Sequence, residues 1–256
     1  MMNLFDVSGK VVLVTGGSRG IGEMIARGFV DGGAKVYISS RKAEVCEALA
    51  AELSANGGTC IAIPADLSTE AECLRLAYEL GQRENHLDVL VNNAGATWGA
   101  PMAETDESAF ERVLALNVKG VFHLTKFLRP MLERAGTADS PARVINIGSI
   151  DGIHVPIMDT FAYSTSKAAV HQLTRHMAKS MAPTITVNAI APGPFESKMM
   201  KATLDAFGDS IAAGAPMKRI GRPDDVAGTA IFLASRASSY ITGVILPVDG
   251  GIATVG

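Results

Sequence analysis

Short runs of apolar and β-branched residues recur along the chain, with longer helix-forming stretches between them. KVVLVT (10–15), AKVYIS (34–39), TCIAIP (59–64), LDVLVN (87–92), RVINIG (143–148), TITVNAI (184–190) and TGVILPV (242–248) predict seven strands. Most of the connecting segments are long enough for a helix. The pattern therefore predicts right-handed βαβ crossovers and a parallel sheet with helices on both faces. Pro247 cannot donate to a ladder, which places the last strand at an edge. The rhythm breaks from Gly193 to Arg222, where a helical segment without capping residues follows the sixth strand. An insertion beyond the carboxyl end of a strand lies where open α/β sheets keep their ligands. No repeat or linker divides the sequence, so residues 1–256 read as one doubly wound α/β domain with a small lobe at about 193–222.

Composition narrows the function classes. The chain has 256 residues, 48% of them hydrophobic, enough to bury a large core. A net charge of -3 and the lack of a long basic run argue against nucleic acid or an anionic membrane as partner. No apolar stretch reaches the roughly 18 residues of a membrane span, and Asp6 with no basic segment precedes the first apolar run. The expectation is an untargeted cytoplasmic protein. Cys46, Cys60 and Cys73 lack metal-ligand spacing and read as reduced thiols, and the five histidines form no i, i+4 pair. No metal site is expected.

The first βα turn carries the candidate chemistry. In TGGSRGIG, Gly16, Gly20 and Gly22 let the backbone turn sharply and approach a phosphate, which the following helix N-terminus would attract. The turn follows a predicted strand and opens a predicted helix, the context of a dinucleotide site. After the second strand the chain has SSRK, with no carboxylate before Glu44 to meet the ribose hydroxyls. Arg41, with Arg19 from the glycine turn, would instead clamp a 2′-phosphate, which favours NADP(H).

In FAYSTSK, Tyr163 and Lys167 stand four residues apart, one helical turn, and so share a face. Spacing alone leaves open an ordinary solvated face. The combination of TGGSRGIG, NNAG at 92–95, Asn117 in ALNVKG, Ser149 in NIGS, YSTSK, PG at 192–193 and the ITG…VDGG ending resembles the short-chain dehydrogenase/reductase family over essentially the whole chain. Within that family the sequence is similar to 3-oxoacyl reductases. The resemblance implies a Rossmann-type fold, NADP(H) as cofactor and a homotetramer.

The resemblance also assigns roles. Tyr163 would be the general acid, Lys167 would favour its ionised form and hold the ribose, Ser149 would hold the substrate oxygen, and Asn117 would sustain a water relay from Lys167. Ser18, Ile21 and Leu67 would join Gly16, Arg19, Gly20, Gly22 and Arg41 around the cofactor. Asn93, Ala94 and Gly95 would pack along the adenosine ribose, and Pro192, Gly193 and Ser197 would flank the nicotinamide carboxamide. Asp66 would meet the adenine amino group, although a place at the start of a helix accounts for it as well.

The substrate is harder to read. Phe195, Met199, Met200, Leu204, Phe207 and Met217 in the lobe, with Ile153, Val155, Ile157 and Met158 after Ser149, would suit an acyl chain, or else form plain core. The leading expectation is a 3-oxoacyl thioester on acyl carrier protein or coenzyme A. Arg134 and Arg175 are candidate carrier contacts, but SMAPTIT lacks the basic residue expected after Lys179. A reductase or dehydrogenase of a small polyol, sugar or steroid, and a non-enzymatic NADPH sensor, are the alternatives.

Overall fold

The computed structural model describes residues 4–198 and 200–255. The elements run β1 (Val11–Thr15), α1 (Gly20–Asp31), β2 (Lys35–Ser39), α2 (Ala43–Ala55), β3 (Thr59–Ala62), α3 (Glu70–Gly81), β4 (Val89–Asn92), α4 (Glu107–Leu114) and α5 (Val121–Ala135). They continue with β5 (Ala142–Ile147), α6 (Phe161–Met181), β6 (Ile185–Pro192), α7 (Lys201–Gly214), α8 (Pro223–Ala234) and β7 (Ile245–Val248). All seven strands are parallel, in the order β3-β2-β1-β4-β5-β6-β7. The Pro247-bearing strand stands at the edge, as its missing donor requires.

Side-chain alternation along the strands divides the core in two. Val12 and Val14 of β1 face a layer with Ile25 and Phe29 of α1, Leu49 and Leu53 of α2, and Val226 and Leu233 of α8. Val11 and Leu13 point the other way, to Leu76 and Leu80 of α3, Leu124 and Leu128 of α5, and Met177 and Met181 of α6. Local chemistry starts the helices. Thr69 accepts the Glu72 N–H at 3.3 Å to cap α3, and Asp106 accepts the Ala109 N–H at 2.9 Å to cap α4.

Parallel strands put all their carboxyl ends along one rim. The glycine turn after β1, Asn93–Gly95 after β4, Ser149 after β5 and Gly193 after β6 therefore converge there, at the point where the strand order reverses between β1 and β4. Helix α6 starts at the same rim and brings Tyr163 and Lys167 in its first two turns. In the lobe, α7 has neither a side-chain cap nor a buried residue, so little of the core holds it. The neck of the lobe is firmer. Phe195 bridges Gly221 and is only 1% exposed, its ring lying where a Cβ at Gly221 would be 2.3 Å away.

Candidate active site

The glycine turn needs its glycines for separate reasons. Gly16 and Gly20 have φ of 62° and 56°, the left-handed region that side chains disfavour. A Cβ at Gly22 would lie 2.3 Å from both Asn93 Nδ2 and the Gly16 carbonyl oxygen. Asn93 Nδ2 donates to the carbonyls of Thr15 at 2.9 Å and Gly16 at 3.1 Å. Thr15 Oγ1 accepts from the N–H groups of Asn93 and Ala94 at 2.9 and 3.0 Å and donates to the Val91 carbonyl at 3.2 Å. The amide that the resemblance laid along a ribose thus also ties β4 to the phosphate turn. Thr15 was not singled out in the sequence; its place at a strand end is the signal that could have found it.

The residues present fit an NADP-type dinucleotide. Helix α1 opens directly from the bare turn with Arg19 at its N-cap and no side chain on the capping N–H groups, leaving backbone donors for a pyrophosphate. Ser18 is buried inside the turn and Ile21 is partly exposed beyond it. Arg19 and Arg41 are both exposed, and neither has an acidic partner among the described residues. Beside Arg41, the Ser39 hydroxyl at the end of β2 is buried without a hydrogen-bond partner. Two free guanidinium groups and an orphan hydroxyl make a receptive place for a 2′-phosphate. Asp66 is half-buried and accepts the Ser68 N–H at 3.2 Å, while Thr69 serves as the actual helix cap. Leu67 is buried next to it, its carbonyl against Gly120. Ser197 at the root of the lobe approaches the glycine turn, its Cβ 3.1 Å from where a Cβ at Gly20 would stand, beyond the buried Pro192 and the partly buried Gly193.

The catalytic candidates meet at the ends of β5 and α6. Ser149 is buried and its Oγ accepts the Asp151 N–H at 3.1 Å. Burial pushes the Tyr163 phenol up to about 12; a hydrogen bond with Ser149 draws it down and the Asp151 charge raises it further. Lys167 is 5% exposed; its Nζ lies 5.5 Å from the Tyr163 ring centre and donates to the Ile147 carbonyl at 2.8 Å. Burial brings the Lys167 ammonium down to about 8, against a raising influence of Asp151. One face of α6 therefore holds a protonated phenol and an amine poised just above neutrality.

Asn117 sits in a π-helical turn, Ala115–Gly120, between α4 and α5. Such wide turns are enriched at functional sites. Its Oδ1 accepts the Ala96 N–H at 2.8 Å, and its Nδ2 donates to the Ala96 carbonyl and Ser166 Oγ, each at 2.9 Å. Ser166 Oγ in turn donates to the Tyr163 carbonyl at 2.7 Å. The side chain is thus occupied in joining the loop after β4 to α6. A buried polar chain that periodicity could not reveal supports it: Asn92 Nδ2 donates to Thr125 Oγ1 and Asn146 Oδ1, and Asn146 Nδ2 donates to Thr174 Oγ1.

His171 was also missed. It is 4% exposed, burial pushes it down to about 4, and its Nε2 is without a partner. It explains the glycine before Ser149, since a Cβ at Gly148 would lie 2.2 Å from that Nε2. Gly148→Ala is accordingly expected to lower stability by about 1–3 kcal/mol through overpacking. Thermal melting checks this, and the loss should be smaller when His171→Ala is made in the same chain, as contacting sites are not additive.

Around Ser149 the rim is apolar. Val155, Ile157 and Met158 after the serine, Met102 after β4, and Phe207 and Met217 in the lobe are all exposed. Met200 and Leu204 are partly buried, and Met199 lies outside the described residues. For Phe195 the plain-core alternative holds: it is core at the neck, not lining. Arg134 is a correction, because its Nε donates to the Asn85 carbonyl ahead of β4, at the end of the sheet away from the site. Among the described residues no group of three or more His, Cys, Asp or Glu could hold a metal ion.

Comparison with known proteins agrees with this architecture. The family model described as enoyl-(acyl carrier protein) reductase matches residues 16–253. The rhamnolipids biosynthesis 3-oxoacyl-[acyl-carrier-protein] reductase of Pseudomonas aeruginosa is 49% identical over 250 residues, covering 96% of this chain and 97% of that protein. The Pseudomonas aeruginosa RhlG/NADP active-site complex superposes with a TM-score of 0.94 at 48% identity, over 99% of this chain and 100% of the other. A gluconate 5-dehydrogenase from Burkholderia cenocepacia, in complex with NADP and tartrate, has a TM-score of 0.92 at 32% identity, over 99% and 98% of the two chains. With a whole-chain match in sequence and topology, the chain belongs to the short-chain dehydrogenase/reductase family.

Proposed function

We propose that the protein reduces a 3-oxoacyl thioester, linked to acyl carrier protein or coenzyme A, to the 3-hydroxyacyl product with NADPH as reductant. The observation that carries this reading is the meeting of the buried Ser149, a Tyr163 phenol held protonated and the buried Lys167, whose Nζ stands 5.5 Å from the centre of the tyrosine ring. When bound, the nicotinamide supplies the hydride. Ser149 Oγ, its orientation fixed by the Asp151 N–H, donates to the substrate carbonyl oxygen. Tyr163 gives its proton to that oxygen as negative charge develops there, the task of a placed general acid. Lys167 stabilises the resulting phenolate by its charge. Asn117 keeps the loop after β4 and α6 in register, and any water relay at this residue runs past its main chain, because its side chain is occupied.

Gly16, Gly20 and Gly22 with the α1 N-terminus receive the pyrophosphate, Arg19 and Arg41 the 2′-phosphate, and Asp66 and Leu67 the adenine. Asn93, Ala94 and Gly95 line the ribose side; Pro192, Gly193 and Ser197 line the nicotinamide. The relatives named above, one of which acts on an acyl-carrier substrate and two of which are NADP complexes, support these roles. Residues 193–222 serve as the substrate lobe. The family resemblance extends the reading to a cytoplasmic homotetramer. Among the described residues, no helix is long and apolar enough to cross a membrane.

A second reading, reduction of a small sugar acid or polyol, is favoured by one feature. Asp151 and His154, 3.9 Å apart, place polar groups near Ser149 in an otherwise apolar rim. Steady-state kinetics on 3-oxoacyl thioesters of increasing length separates the two. Each added buried CH₂ is expected to contribute up to about 0.8 kcal/mol, so KM should fall up to roughly fourfold per carbon until the apolar rim is filled. A flat profile, or faster turnover of a keto-gluconate or of a 2-enoyl thioester, would overturn the proposal.

A further inference from the structure

Tyr163, Lys167 and His171 follow one another at four-residue intervals along α6 and so share one face of the helix. Against that face lies the stretch from Ile147 to Gly152, with Ser149 in its middle. Lys167 Nζ donates to the Ile147 carbonyl at 2.8 Å. One turn further along, the His171 ring is 4% exposed and sits between the two glycines that flank the serine. A Cβ at Gly148 would lie 2.8 Å from His171 Cδ2 and nearer still to Nε2, and a Cβ at Gly152 would lie 2.8 Å from Cε1. Both glycines are bare because the imidazole occupies the place of their side chains. Elsewhere the backbone of the turn is tied down: the Gly148 N–H donates to the Ile190 carbonyl of β6 at 2.7 Å, and the Gly152 N–H to the Ser149 carbonyl at 3.1 Å. A hydrogen bond joins the ring to the Gly152 backbone as well.

We propose, resting on the reading of Ser149 as the group that holds the substrate oxygen, that His171 is the positioning residue for Ser149: its ring is the spacer on which Gly148 and Gly152 rest, and it sets where the serine hydroxyl stands along the α6 face that carries Tyr163. The Asp151 N–H, at 3.1 Å from Ser149 Oγ, orients the hydroxyl within the turn. The ring fixes the turn itself. Plain packing would be served by an apolar side chain of similar size, yet this residue leaves Nε2 buried without a partner, which costs stability. Such a cost is expected where the residue is kept for the site it supports. Burial pushes the imidazole down to about 4, so the ring is neutral around pH 7 and adds no second positive charge beside Lys167. Its task is therefore steric, and placement is worth a great deal: a shift on the order of 1 Å in a reacting group can cost about 10²-fold in rate.

The test is a double-mutant cycle in the full chain between position 171 and Ser149→Ala, read as kcat with a 3-oxoacyl coenzyme A thioester or with a keto-gluconate, whichever the wild type reduces faster, and as the Kd for NADPH. His171→Ala empties the space between the glycines. His171→Leu keeps most of the volume and loses the bond to Gly152, and it carries the cycle should the alanine variant fail to fold. The expected result is a kcat lower by about 10–10²-fold in the alanine variant and by a smaller factor in the leucine variant, with NADPH binding kept in both. In the Ser149→Ala background either change should cost no more than about twofold further, because the hydroxyl being positioned is gone and contacting sites are not additive. A purely structural role predicts the same loss with and without the serine. That outcome, a wild-type kcat in the variants, or a Kd for NADPH that rises as kcat falls, overturns the inference alone. Wild-type turnover by Ser149→Ala overturns the role given to the serine and this inference with it, whereas faster turnover of the keto-gluconate overturns only the substrate proposed above, since the same cycle then decides the inference on that ketone.

Discussion

Tyr163→Phe is expected to lower kcat for thioester reduction by about 10²–10⁴, the usual worth of a placed acid, and to leave NADPH binding nearly intact. The reason lies in what the substitution removes. The ring keeps its contact with Lys167, whose Nζ stands 5.5 Å from its centre, and α6 keeps its packing against the turn after Ser149. Only the hydroxyl, with its proton, disappears. With burial holding the phenol up to about 12, the tyrosine is protonated throughout the neutral range and available to donate. Stopped-flow hydride transfer together with NADPH titration separates the two quantities. Near-normal turnover would mean that another group, such as Ser149 or a water, delivers the proton.

Arg41→Asp should raise the KM for NADPH by a large factor and narrow or reverse the gap to NADH, with kcat at saturation little changed. Arg41 is exposed, has no acidic partner among the described residues and stands just past the orphan Ser39 hydroxyl, so nothing in the fold depends on its charge. The substitution changes an attraction for a 2′-phosphate into a repulsion, and it offers a carboxylate to ribose hydroxyls in the place where NAD-binding chains carry one. A change in free energy of about 2.7 kcal/mol would appear as a hundredfold ratio of specificity constants, easily read from kcat/KM with each nucleotide. An unchanged preference would move the phosphate contact to Arg19 or elsewhere.

Sequence determined the parts of this protein whose signals are local. Strand periodicity, the glycine turn in its strand-to-helix setting, the four-residue interval from Tyr163 to Lys167 and the edge position of the Pro247 strand all follow from residues near one another in the chain. Short-range sterics and hydrogen bonding fix these features wherever the rest of the chain goes. Tertiary structure decided whatever depends on residues far apart in sequence. Asn93 ties itself to Thr15 across 78 positions, and Asn117 gives its amide to Ala96 and to Ser166 rather than to solvent. Phe195 looks like a lobe residue in sequence and becomes core because the bare Gly221 receives its ring. Arg134 is carried to the far end of the sheet because α5 runs antiparallel to the strands. His171 is unremarkable in sequence; packing the turn after β5 onto α6 is what sets its ring against Gly148 and Gly152, a contact that sequence spacing does not record beyond one helical turn.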